Sequence, residues 1–169
     1  MAQSPTFKAF TTTAVTPVTA PPTTAAHFSV WNSAPAGGKS LYIQTLEAFT
    51  AASAGAAQII QLFAHLGAGP QKRIGSGFTA ASGPFSLGGP VVPSVATVGS
   101  AVTVVNDSVW HPCSLSETMG TGTTTIANGT FSNVNGLYVV APGMVFSLAV
   151  LCSAAGTATC RCGVTWYEQ

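Results

Sequence analysis

Glycine, proline and serine breaks divide this chain into short segments, none of which is a convincing helix. The apolar and β-branched residues come instead in short runs. These are HFSVW (27–31), SLYIQTLEAFT (40–50), AAQIIQLFAHL (56–66), SAVTVVN (100–106), SVWHPC (108–113), TTTIANGTFSN (123–133), GLYVV (136–140), MVFSLAVLC (144–152) and TCRCGVTWYEQ (159–169). Runs of this length, bounded by turn formers, read as strands. AAQIIQLFAHL also permits a helix by composition, and its place between turn signals assigns it to strand. About eight or nine strands and no helix predict an all-β domain, a sandwich or barrel. The jelly roll, an antiparallel sandwich closing over one core, is the favoured form. Strand pattern does not separate it from an immunoglobulin-like topology, although the Cys…Trp…Cys spacing of true immunoglobulin domains is not evident.

The best-defined pair is the last one. With a three-residue loop Ala155-Gly156-Thr157, MVFSLAVLC and TCRCGVTWYEQ read as a hairpin. Cys152 then opposes Cys160, Val150 opposes Cys162, Leu148 opposes Val164 and Phe146 opposes Trp166, all on one apolar face. Pro142-Gly143 marks a turn with glycine at a positive-φ position. Residues 67–100, rich in Gly, Pro and Ser, are expected to form a long excursion with at most short strands.

Two units are expected: an extended Thr/Pro-rich arm over 1–26 and a single β-sandwich domain over 27–169. Pro5, Pro17, Pro21 and Pro22 disfavour helix and central strand in the arm. An arm of this composition buries too little apolar surface to order itself, so it is either a disordered tail or lies along the domain or a neighbouring subunit, the latter being the expectation. No apolar stretch in it resembles a secretory leader, and no run of about 18 apolar residues spans a membrane. The glycosylation patterns at Asn106-Asp107-Ser108 and Asn128-Gly129-Thr130 therefore carry little weight.

Charge is scarce: five Lys and Arg and four Asp and Glu in 169 residues. An ordinary domain carries about a quarter charged residues. Ser, Thr, Gly and Ala must cover the surface instead, and such a surface does not repel the next copy. The composition fits a protein held against copies of itself or a partner. With no basic stripe, phosphate-driven nucleic-acid binding and a polybasic membrane contact are both disfavoured.

Four sets of residues invite chemistry. Gly38-Lys39-Ser40 resembles the end of a phosphate-binding loop, but the required upstream glycine is Ser33 and a strand follows instead of a helix. A plain turn with a solvated Lys39 is the expectation. Cys113, Cys152, Cys160 and Cys162 are read first as small buried thiols. A Cys152–Cys160 disulfide and a metal site completed by His111 remain as alternatives, although the usual cysteine spacing of zinc sites is absent. His27, His65, His111, Asp107 and Glu117 form no recognisable catalytic set, and a Cys113–His111 dyad lacks a third group to orient it. No catalytic residue, cofactor or metal is assigned. Trp31, Trp110, Trp166, Tyr42, Tyr138 and Tyr167 could form a carbohydrate platform, but such residues more often fill a core or an interface.

The Thr/Pro-rich start, the Val-Trp-Asn strand with its Gly-rich turn, and GLYVVAPGMVFSLAV closing on GVTWYEQ resemble small jelly-roll virion proteins of tailed bacteriophages. Capsid decoration proteins and related accessory structural proteins belong to that group. The resemblance covers about residues 28–50 and 100–169 and rests on pattern, with no diagnostic motif. It implies a virion protein assembled in the host cytoplasm, a homotrimer on the outer shell that clamps the major capsid protein, without catalysis or cofactor. In that role the arm would reach over an adjacent subunit or the shell. The alternative is a receptor- or glycan-binding module of a phage fibre or tail, using the 67–100 loop and exposed aromatics.

Overall fold

The computed structural model describes residues 4–23, 25–52, 58–67, 79–80, 85–88, 93–100, 102–103, 110–119, 129–154 and 158–169. Among these the chain forms β1 (Thr6–Phe10), β2 (Ala25–Ala26), β3 (Phe28–Asn32), β4 (Leu41–Ala52), β5 (Gln58–Leu66), β6 (Thr79–Ala80), β7 (Phe85–Gly88), β8 (Ala96–Ser100) and β9 (Val102–Thr103). It continues with β10 (His111–Pro112), β11 (Glu117–Met119), β12 (Gly129–Asn133), β13 (Val139–Val140), β14 (Val145–Cys152) and β15 (Thr159–Glu168).

The first sheet runs β12-β4-β15-β1-β7, with β13 also on β4. The second runs β10-β5-β14-β3-β8-β6, with β11 also on β5. β2 and β9 form a short separate pair. Following the chain, β1, β4, β12/β13 and β15 fall in one sheet, and β3, β5, β10/β11 and β14 in the other. The paired orders β1-β15-β4-β12 and β3-β14-β5-β10 are those of a jelly roll, and the fold is all-β as the strand pattern predicts.

The expected hairpin between residues 144–152 and 159–169 does not form. β14 pairs with β3 and β5, whereas β15 pairs with β1 and β4. Their apolar faces nevertheless meet, because the two strands look at each other across the sandwich. Phe146, Leu148, Val150 and Cys152 from one side and Cys160, Cys162, Val164 and Trp166 from the other are all buried in one core with Phe7, Phe28, Ile43 and Leu62. Alternation correctly separates the inward from the outward face, and it says nothing of which strand lies alongside. The proposed loop 155–157 lies outside the described residues, as do most of 67–92, the pattern residues 104–109, and 120–128.

The amino-terminal segment is part of the sandwich. Phe7 and Ala9 of β1 point into the core, and β1 pairs along its length with Gly163–Tyr167 of β15. Past β1 the chain runs extended over its own domain. Val15 N–H and C=O bond Cys160 at 2.7 and 2.8 Å, then Val18 N–H bonds Val150 C=O at 3.1 Å and Val18 C=O accepts from Cys152 N–H at 2.8 Å. Residues 11–18 are thus a strap that ties the edge of one sheet to the other. Of the two placements open from sequence, these residues take the one on their own domain. Pro17 sits where its missing N–H costs nothing, between the two bonded valines.

Two turns show local chemistry deciding backbone. Pro142-Gly143 forms the expected turn, with Gly143 at φ 84° and Met144 N–H bonding Ala141 C=O at 3.0 Å. Asn135 and Gly136, at φ 46° and 78°, make a turn of the type that favours Asn-Gly, closed by Leu137 N–H to Val134 C=O. This second turn is no hairpin. It folds against a bulge in β4, where Gln44 is an extra residue between the pairs Thr45–Thr165 and Ile43–Trp166. The Gln44 carbonyl accepts from Val134 and Asn135 N–H. At the same end, the buried Asn32 amide donates to Lys39 and Val140 carbonyls, both at 2.8 Å, and its Oδ1 accepts from Ala34 N–H, so it anchors three passing segments.

Candidate interaction surface

The outward side of the first sheet is aromatic and nearly neutral. On β4 the bulge shifts the phase, so that Tyr42, Glu47 and Phe49 face out while Ile43, Leu46 and Ala48 face in. Tyr42 stacks on Tyr167 across the strand pair, with ring centroids 4.8 Å apart and planes 5° apart. Phe10 meets Phe49 edge-on at 5.8 Å. Phe10 also covers Gly163, whose missing side chain leaves the space that the ring occupies. Lys8 and Glu47 pair at 2.5 Å, and the Lys8 ammonium lies 4.6 Å from the Phe10 ring centre. These two charges cancel, and Arg161, exposed on β15 opposite Phe49, is left as an unbalanced charge on this face.

Along the β12/β13 edge the apolar residues stand out into solvent. Phe131, directly opposite Glu47, is 60% exposed; Leu137 is 75% exposed; Val139, opposite Tyr42, is 38% exposed. Phe131 and Val139 continue the outward face of β4, and Leu137 lies in the turn docked on the bulge. A weakly charged wall of rings and aliphatic side chains is suited to dehydrated contact with another weakly charged surface. The second sheet bears a smaller feature on its outward side, a pocket of about 230 Å³ between Ile59, Phe63, Leu151 and Thr19, just past the strap.

The residues singled out from sequence are dispersed by the fold. Gly38 N–H bonds Pro35 C=O at 2.8 Å in a turn with Gly37 at φ 78°, and Ser40 N–H bonds the Gln169 carbonyl at 2.8 Å. β4 follows as a strand. Two of the amides that would face a phosphate, those of Gly38 and Ser40, are thus engaged within the chain, and the plain turn is what Gly38-Lys39-Ser40 builds.

Cys152, Cys160 and Cys162 converge from the two sheets into the core as free thiols, with Cys113 a half-buried free thiol at the edge of the second sheet. Among the described residues, no group of three or more His, Cys, Asp or Glu side chains is placed to hold a metal. His111 is exposed, while the Cys113 thiol donates to the Leu62 carbonyl at 3.3 Å. Asp107 lies outside the described residues. Burial pushes the thiols of Cys113 and Cys160 up to about 12 and that of Cys162 well above its ordinary value.

These shifts set an alkaline limit on stability. A raised folded-state value means that the unfolded chain gives up its thiol protons first. The stabilisation is complete below the ordinary value of 9.0 and is lost as pH rises from there towards about 12. At about pH 8, iodoacetamide is expected to leave Cys160 and Cys162 unlabelled in the native protein and to label all four cysteines in urea, since the thiolate is the reacting form. Rapid labelling of Cys162 in the native state would contradict its burial.

The aromatics divide between roles. Trp166 is wholly buried and stacks on Phe7 at 6.0 Å. Trp110 packs against His65 and donates to the Pro22 carbonyl at 3.1 Å, and Tyr138 leans on Phe146. Of the six, Tyr42 and Tyr167 stand stacked on the outward side of the first sheet. Sequence reasoning missed Phe10, Phe49, Phe131, Leu137 and Val139 as surface residues. The alternation of LYIQTLEAF carried part of that signal, but the phase change at Gln44 hid it. It also missed Glu168, a buried carboxylate whose Oε1 accepts from Ser94 Oγ and Val95 N–H at 2.5 and 3.0 Å. Comparison with protein-family models, with curated proteins and with solved structures finds no match in any of the three.

Proposed function

We propose that this chain is a non-enzymatic structural protein of a tailed-phage virion, a capsid decoration protein that binds the outer shell as an oligomer, with a homotrimer as the expected state. The observation that carries the reading is the outward side of the first sheet, where Phe131, Leu137 and Val139 lie exposed beside an aromatic wall whose lysine and glutamate neutralise each other. The jelly roll and the scarcity of charged residues support it, since many weak neutral contacts on a repeating shell combine into firm attachment. A role without catalysis is supported by the buried thiols held neutral and by His27, both of whose ring nitrogens bond the backbone.

The test is stoichiometry and assembly. Hundreds of copies per native particle, counted by mass spectrometry, would match a shell protein, whereas a few dozen or fewer would match a fibre or tail part. In isolation, the double variant Phe131→Glu/Leu137→Glu should weaken self-association or shell binding by about thirtyfold or more, the scale of losing a central apolar contact. A protein that stays monomeric at about 100 μM and attaches to no shell would end the proposal.

The second reading is a glycan- or receptor-binding module of a fibre or tail. The Tyr42–Tyr167 stack, with the Gln44 amide and Tyr42 both beside Gly136, favours it, because flat rings next to amides suit sugar faces and hydroxyls. Binding to a glycan array that Tyr167→Ala abolishes would support this reading over the first.

A further inference from the structure

His27 stands between β2 and β3, where the second sheet changes partner. β3 covers β14 from Val145 to Leu148, and beyond Leu148 the strap takes over that edge. The Val150 amide falls at the change, and the His27 ring fills the gap. Val150 N–H donates to Nδ1 at 2.9 Å, and Nε2 lies 2.9 Å from the Thr16 carbonyl. A carbonyl only accepts and an amide N–H only donates. The ring is therefore the neutral tautomer with its proton on Nε2, and its side chain stands in for a piece of strand backbone.

Adding a proton to Nδ1 would turn the acceptor into a donor aimed at another donor. The Val150 bond cannot survive this, and the ring must move, taking with it the bond that holds Thr16. We propose that His27 is a proton-operated latch on the 11–18 strap, closed while the ring is neutral and released on its protonation, so that the β14 edge at Val150 and Cys152 is uncovered. Released, the strap gives up its bonds to Val150 and Cys152 in one sheet and to Cys160 in the other.

The surroundings leave the ring as the titrating element. Among the described residues, the strap, β2, β3 and β9 carry no titratable side chain. β14 brings Cys152, whose thiol burial pushes up, and β15 meets the strap at Cys160, pushed up likewise; Arg161 is exposed on the other side of β15. Burial lowers the pKa of His27, opposed in part by the bond to Thr16. A lowered value in the latched state means that the open state takes up the proton first. The latch is at full strength above the ordinary value of 6.5 and weakens as pH falls below it.

The experiment compares the full-length protein with His27→Gln, whose amide offers one acceptor and one donor and does not titrate. Amide hydrogen exchange, corrected for its intrinsic pH dependence, is followed for residues 11–18 and for β5 as reference. Between about pH 7.5 and about pH 5, protection of the strap in the wild type should fall about tenfold or more relative to β5, and in His27→Gln it should not change. Labelling of Cys152 with 4,4′-dithiodipyridine, which reacts across this range, should speed up in step. An unchanged strap in the wild type, or the same fall in both proteins, overturns the latch. Should His27→Gln fail to fold, an NMR titration of the wild type decides: the strap amides must shift with the midpoint of the His27 ring, and a different midpoint refutes the proposal.

Discussion

Replacing Trp166 by alanine is expected to cost about 3–5 kcal/mol of unfolding free energy, the scale of deleting a fully buried aromatic. Against a total of about 5–15 kcal/mol for a domain, that change alone brings the protein near its limit. Trp166 lies on β15 at the centre of the core, fully buried, stacked on Phe7 and paired in backbone register with both β1 and β4. The hole left by alanine would be walled by strands of both sheets whose positions the ladders hold, so little collapse can fill it. Trp166→Phe should cost much less, because the indole N–H has no partner among the described residues and its removal relieves an unpaired buried donor. Guanidinium unfolding followed by circular dichroism measures both. A loss below about 1 kcal/mol for Trp166→Ala would mean that the two sheets are not held as described.

The second large effect is expected at a residue with no side chain. A Cβ on Gly163 would sit 2.4 Å from Phe10 Cδ1 and 2.6 Å from the Ala9 carbonyl oxygen. The phenyl ring can swing aside, but the carbonyl belongs to the β1 backbone, which is itself in register with β15. Gly163→Ala must therefore push β1 away from its partner. The expected cost is about 1–3 kcal/mol, the range for overfilling a packed site, and Gly163→Val should exceed it. The damage should be local. β1 and the strap ought to become sensitive to limited proteolysis under conditions in which β4, β5 and β14 stay resistant. Substitution without loss of stability, or loss spread evenly over all strands, would count against this close approach.

What could be read in the sequence follows from what alternation encodes. The parity of Phe146, Leu148, Val150 and Cys152, and of Cys160, Cys162, Val164 and Trp166, marked both strands and their inward faces correctly. It misassigned them as neighbours, because two strands facing each other through a core show the same apolar parity as two strands side by side. In Leu41–Ala52 the inserted Gln44 breaks the period, so Tyr42 and Glu47 share a face although an odd number of positions separates them. A bulge depends on what docks against it, here the Asn135-Gly136 turn far along the chain, and no local pattern announces that partner. Prolines and threonines mark residues 1–26 as an arm, whereas the core positions of Phe7 and Ala9 rest on a β15 strand that only the fold brings alongside. The surface patch is hidden in part for a related reason: Phe131 stands between polar neighbours as a core residue would, Val139 lies in the apolar run Leu137–Val140, and which face has a cover is decided elsewhere.

The pairing of Thr6–Phe10 with Gly163–Tyr167 also sets an order of events. On a ribosome adding about 5–20 residues per second, the amino-terminal strand emerges on the order of ten seconds before its partner exists. In that interval TFKAF is an unpaired strand with a single lysine to discourage wrong neighbours. The first sheet can be completed only once translation has passed its middle strand, so Thr6–Phe10 is among the last segments to find its place.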